Sequence, residues 1–155
     1  MVEVTQEINA PAEEVYDLVS DLPRMGRWSP ETTHVVWRDG ATGPAVGAKF
    51  RGTNRHGLLV WSTFGTILTA ERGKDFSFEV GFGPLAVSRW GYRFEPLPGA
   101  GCRVTEWTED RRGPLLRHGS KFVGMGDREG MNKASMQVTL ERLKQAAEAS
   151  TTTRG

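Results

Sequence analysis

A carboxylate on a strand rich in aromatic neighbours is where this chain's residue types point to acid–base chemistry. In Cys102-Arg103-Val104-Thr105-Glu106-Trp107-Thr108, strand alternation puts Val104, Glu106 and Thr108 on one face and Arg103, Thr105 and Trp107 on the other. If the first face is the inner one, the Glu106 carboxyl loses hydration and its pKa rises, which suits a group that gives or takes a proton near neutral pH. Two other placements stand beside this one: a solvated carboxylate near a strand end, or a buried one paired with a structural arginine. Arg89 and Arg93 alternate with Trp90 and Tyr92 and should point away, so they are poor partners. His118, in a Gly/Arg-rich stretch, is the candidate second acid–base group; His56 lies in a polar turn and His34 on a strand of unfixed facing. A metal site needs three or four convergent ligands, and the chain has no HxH, HExxH or Cys/His pairing. It also lacks a nucleophile elbow and a P-loop, and Gly81-Phe82-Gly83-Pro84 has no helix after it. Neither a metal nor an organic cofactor is expected.

A second group of residues concerns binding. Trp28, Phe50, Trp61, Phe78 and Trp90 fall on a common face by strand parity, with the small Thr63, Gly65 and Ser88 between them. One reading is a dry aromatic core. The other is a cavity wall for a flat or elongated apolar molecule, since large rings separated by small residues leave space. On that reading these eight residues form the ligand-binding set.

The elements that must position these groups follow from periodicity. Val2, Val4, Gln6 and Ile8 share one face of a first strand. Pro11 suits the first position of a helix whose Val15, Leu18 and Val19 form an apolar stripe. Pro23 permits a second short helix ending near Trp28. Strands are expected at 35–38, 49–53, 58–70, 76–80, 88–94 and 102–108, with turns at Asn54–Gly57, Glu71–Lys74, Gly81–Pro84 and Pro96–Gly101. The stretch 111–126 sets Leu115, Leu116, Phe122, Val123 and Met125 among glycines and reads either as a mobile lid or as a packed loop. A last helix is expected from about Asp127 to Ala149, burying Met136, Leu140, Leu143 and Ala147. Strands at hairpin spacing followed by one long helix argue for an α+β fold, an antiparallel sheet covered on one face by that helix.

With 155 residues the chain suits a single domain over 1–149, with a flexible tail at 150–155. A net charge of +1 and the lack of a basic block give nucleic-acid binding no electrostatic support. The single cysteine, Cys102, excludes an internal disulfide and fits a reducing compartment. No charged leader followed by an apolar run is present, and no apolar stretch approaches the roughly 20 residues of a membrane span. A cytoplasmic protein without stable membrane insertion is expected, as monomer or homodimer.

Several motifs in order carry a resemblance: Ala10-Pro11-x-Glu13-x-Val15-Tyr16, then Arg27-Trp28-Ser29-Pro30, then Gly52-Thr53-Asn54-Arg55-x-Gly57 with Trp61. Trp90-x-Tyr92-x-Phe94-Glu95-Pro96 and Leu140-Glu141-Arg142-Leu143-Lys144 complete it. Over roughly residues 2–147 the chain resembles the START-like (SRPBCC) superfamily, and within it the polyketide cyclase/dehydrase-like branch. The resemblance implies the helix-grip fold, also called Bet v 1-like: a curved seven-stranded antiparallel sheet wrapped around a long C-terminal helix, with two short helices after the first strand. It also implies that function lies in what the cavity holds. The expected function is binding of an apolar or aromatic small molecule there, of polyketide, isoprenoid, acyl-chain or quinone type; the alternatives are an acid/base cyclase or dehydratase using Glu106 with His118, and an adaptor that binds a protein through the outer sheet face. Aromatase/cyclase members are thought to use an arginine in the long fourth strand and a tyrosine after the tryptophan turn. This chain has no arginine from Val60 to Ala70, where Gly65 stands nearest that place, and its tyrosines are Tyr16 and Tyr92. Cyclase chemistry is therefore not carried over residue by residue.

Overall fold

Alternating apolar and polar residues write seven segments of this chain as strand, and two proline-punctuated turns supply its short helices. In the computed structural model, residues 1–82, 85–112 and 128–154 are described. The elements are β1 (Val2–Ile8), α1 (Ala12–Ser20), a 3₁₀ helix (Leu22–Arg27), β2 (Thr32–Arg38), β3 (Lys49–His56), β4 (Leu59–Glu71), β5 (Asp75–Phe82), β6 (Leu85–Pro96), β7 (Cys102–Asp110) and α2 (Arg128–Arg154). The strands form one antiparallel sheet in the order β1-β7-β6-β5-β4-β3-β2. Strands adjacent in sequence pair by hairpins, except that β1 crosses to the far end of the chain and pairs with β7, Val2 opposite Thr108. This is the helix-grip architecture.

Pro11 sits one position earlier than expected. Its ψ of 145° is extended, so it caps α1 from outside rather than starting it. Val15, Tyr16 and Val19 are the buried face of that helix. The Tyr16 ring meets Phe76 and Phe94 edge-on at 5.9 and 5.7 Å. Leu22 and Met25 bury the 3₁₀ helix against the same core.

Several boundaries differ from the sequence reading: β2 starts at Thr32, β5 runs through Gly81 to Phe82, the place expected for a turn, and β6 spans Leu85–Pro96. The turn expected at Asn54–Gly57 lies later, because His56 pairs with Leu59 and leaves only Gly57 and Leu58 to reverse the chain. Gly57 has φ +63°, as the first central residue of a type II′ hairpin requires. The polar residues Asn54, Arg55 and His56 thus belong to β3. The last helix also runs to Arg154 rather than Ala149. Ser150 to Arg154 contains neither glycine nor proline, so nothing in the sequence breaks the hydrogen-bond ladder before Gly155.

The long helix packs on β1, β7 and α1. Its stripe Met136, Leu140, Leu143 and Ala147 is buried as expected. The opposite sheet face is wetter, with Arg89 on Glu79 at 2.7 Å and Arg93 on Glu3 at 2.8 Å. Trp107 belongs to that face too: a Cβ at the cross-strand Gly91 would come within 2.3 Å of the indole, so the ring lies across a glycine. That assignment sends Glu106 to the other side.

Candidate functional site

The register of β7 decides the surroundings of Glu106. It lies opposite Tyr92 of β6 and Val4 of β1, and only 3% of it is exposed. The Tyr92 hydroxyl, itself buried, donates to Glu106 Oε1 at 3.0 Å. Among the described residues Glu106 Oε2 has no hydrogen-bond partner. Burial pushes the carboxyl up from 4.5 to about 8, against the Tyr92 hydrogen bond, which favours the charged form. Burial, and then the neighbouring carboxylate, hold the Tyr92 hydroxyl well above its ordinary value. At neutral pH the pair is therefore two uncharged acids in contact.

This pair forms part of the wall of a cavity of about 380 Å³ between the sheet and α2. Aromatic rings dominate the wall. Phe50 and Phe78 meet edge-to-face with centroids 5.5 Å apart, and Trp61 and Trp90 stand half-buried beside them. From α2, Ser135, Met136 and Thr139 close the opposite side. Polar groups are few and mostly bonded to one another. The Trp90 indole N–H donates to Ser88 Oγ at 2.9 Å. Asn54 bridges two strands, its amide donating to Thr63 Oγ1 at 3.2 Å while its Oδ1 accepts from Thr32 at 3.1 Å. The result is an apolar chamber with a short polar stripe near Asn54 and an acid pair at Glu106.

Of the residues expected to bind, Phe50, Trp61, Thr63, Phe78, Ser88 and Trp90 reach this wall. Two do not. Trp28 is 1% exposed and packs in the core; its backbone N–H closes the 3₁₀ helix on the Met25 carbonyl, and Met25 and Ser29 line the cavity in its stead. Strand parity does not extend through such a turn. Gly65 fails for a different reason. A Cβ there would sit 2.1 Å from the tip of the Phe50 ring, so the room left by the missing side chain is filled by Phe50, its cross-strand neighbour. His118 and the 113–126 part of the expected lid lie outside the described residues.

Two participants escaped the sequence reading. Tyr92 was placed on the right face, but its bond to Glu106 depends on cross-strand register, which the turn between Leu97 and Gly101 sets. Arg112, just beyond β7, lines the cavity with its guanidinium forked onto Asp110, Nε to Oδ1 at 3.0 Å and Nη2 to Oδ2 at 2.8 Å. Nothing in its sequence setting marked it out. Among the described residues no group of three His, Cys, Asp or Glu side chains is placed to hold a metal ion. No helix among them is long and apolar enough to cross a membrane.

The comparisons with known proteins agree with this geometry. No curated protein matches the chain. The solved structures similar to it include the Polyketide_cyc-like protein Cgl2372 from Corynebacterium glutamicum, 30% identical over 96% of this chain and 91% of that one, with a TM-score of 0.59. DR_A0006 from Deinococcus radiodurans is 20% identical over 93% of this chain and 94% of its own, with a TM-score of 0.66. The di-domain ARO/CYC StfQ from the steffimycin biosynthetic pathway is 18% identical with a TM-score of 0.67; the match takes in 99% of this chain but 46% of StfQ, so this chain spans about half of that protein. The sequence profile of the family described as "Polyketide cyclase / dehydrase and lipid transport" matches residues 1–148, and with nearly its whole length so accounted for, the chain belongs to that family.

Proposed function

We propose that the protein binds an apolar or aromatic small molecule, of polyketide, isoprenoid, acyl-chain or quinone type, in the chamber between its sheet and α2. The observation that carries this reading is the cavity of about 380 Å³ walled by Phe50, Trp61, Phe78 and Trp90. Its size lies in the range of small-molecule sites, and its few polar groups suit orientation rather than solvation of a ligand. Trp61 and Trp90 serve as built-in reporters. Titration with apolar aromatic compounds should shift tryptophan emission, and Trp61→Ala should weaken binding by roughly tenfold, as loss of an aromatic wall does. Unchanged emission across such compounds, together with no small molecule in mass spectra of the native protein, would sink the reading.

A second reading, an acid/base enzyme of the cyclase or dehydratase kind, is favoured by one observation. Glu106 is a buried acid with a pKa of about 8, hydrogen-bonded to Tyr92 in the cavity wall. Such a carboxyl can protonate a ligand carbonyl as its enol forms, and its conjugate base can take the adjacent proton. The ARO/CYC name of StfQ is compatible with this, although the arginine expected of that chemistry has no counterpart at Gly65. Glu106→Gln separates the readings: a carrier keeps its ligand, whereas an enzyme keeps the ligand and loses turnover.

A further inference from the structure

The acid pair places a chemical demand on whatever occupies the chamber. Tyr92 has one O–H, and Glu106 Oε1 takes it. Once Glu106 is neutral its own proton belongs on Oε2, the atom with no partner among the described residues. A buried donor without an acceptor is costly, and none of the described wall atoms hydrogen-bonds Oε2. The Trp90 indole N–H is itself a donor, and the Asn54 side-chain oxygen already accepts from Thr32. The aromatic rings and Met136 supply no oxygen. We propose that Glu106, held in place by Tyr92, is the hydrogen-bond donor that orients the ligand, so that the favoured ligand is a flat apolar molecule carrying a carbonyl oxygen, a ketone or quinone, rather than a hydrocarbon of the same shape. This rests on the cavity-binding reading above and names the class of molecule it selects.

The proton affinity of Glu106 sets the pH range of that preference. From β6 it faces Tyr92, from β1 Val4, and the wall residues that α2 supplies, Ser135, Met136 and Thr139, carry no charge. The charged side chains elsewhere in the wall are Arg112, forked onto Asp110, and Glu31. Burial and the Tyr92 bond are what act on Glu106. The carboxyl therefore donates below about pH 8 and loses its proton above it.

Fluorenone and fluorene test the proposal, because they share a planar skeleton and differ in a carbonyl against a methylene. Tryptophan emission reports the binding of both. Wild type should bind fluorenone about tenfold more tightly than fluorene at pH 6, the ratio one good hydrogen bond supplies. That ratio should fall toward one at pH 9.5. Glu106→Gln keeps an N–H donor at every pH and should hold the preference at both values. Glu106→Met should bind the two compounds equally at both. Equal wild-type affinities at pH 6, or a preference that survives in Glu106→Met, would overturn the donor role while leaving cavity binding intact. Failure of both compounds to bind would overturn the cavity reading and this one with it. Should Glu106→Met not fold, the wild-type pH series and Glu106→Gln decide the matter.

Discussion

Glu106 ties the stability of this protein to pH. Its carboxyl titrates near 4.5 when the chain is unfolded and near 8 when folded. Below about 4.5 both states are protonated and the burial is harmless. Between 4.5 and 8 the unfolded chain releases a proton that the folded one must keep, so stability falls as pH rises, and above 8 the loss is constant. The full difference is on the order of a few kcal/mol. Urea unfolding of wild type and Glu106→Gln from pH 4.5 to 8.5 should show the two free energies diverging by that amount, with the variant gaining relative to wild type at the alkaline end. Parallel curves would mean that the carboxyl is hydrated in the folded protein. At this scale the sequence was readable wherever alternation ran unbroken: it placed Glu106 inward and Arg89 and Arg93 outward. It was unreadable for Trp28, which sits in a turn where parity lapses, and for the Tyr92 contact, which depends on register between strands rather than order along one.

Among the elements, the β3–β4 hairpin matters most to the chamber. Phe50 keeps its position because Gly65, opposite it, gives its ring a place to lie. Gly65→Ala should cost about 1–3 kcal/mol through overpacking. The displaced ring has the cavity as its free direction, so the same substitution should weaken ligand binding, and thermal unfolding with a fluorescence titration of one sample checks both. An alanine variant of unchanged stability and affinity would show that the ring moves aside without consequence. The hairpin's reach was underestimated from sequence because Asn54, Arg55 and His56 look like turn residues by composition. The true turn is decided by Gly57, whose positive φ lets two residues reverse the chain. The end of α2 was misplaced for a related reason: serine and threonine are weak helix formers, but none of Ser150 to Arg154 stops a helix already under way.

Over the whole molecule, binding and folding share one free energy, because the chamber exists only when sheet and α2 are assembled. A ligand at a hundred times its Kd should stabilise the fold by about 2.7 kcal/mol. For a chain of this size that raises Tm by roughly 5–10 °C. A differential scan with fluorenone present measures it, and an unmoved Tm beside a clear fluorescence shift would place the compound on the surface instead. The order of elements was legible in full, since hairpin spacing and a single long apolar stripe leave few other arrangements. The closure of β1 onto β7 was not, because no local pattern announces a partner so distant in sequence. That closure shapes the protein's birth as well as its form. Of the strands of this sheet, the earliest made is the last to find its neighbour: Val2 must wait for Thr108, about a hundred residues later, and at ordinary synthesis rates of roughly 5–20 residues per second that is several seconds or more. Such non-local pairing also slows the folding search itself. During that interval β1 is an unclaimed strand edge, and its Glu3 and Glu7, which later pair with Arg93 and Arg103, are the charges that discourage other nascent chains from claiming it.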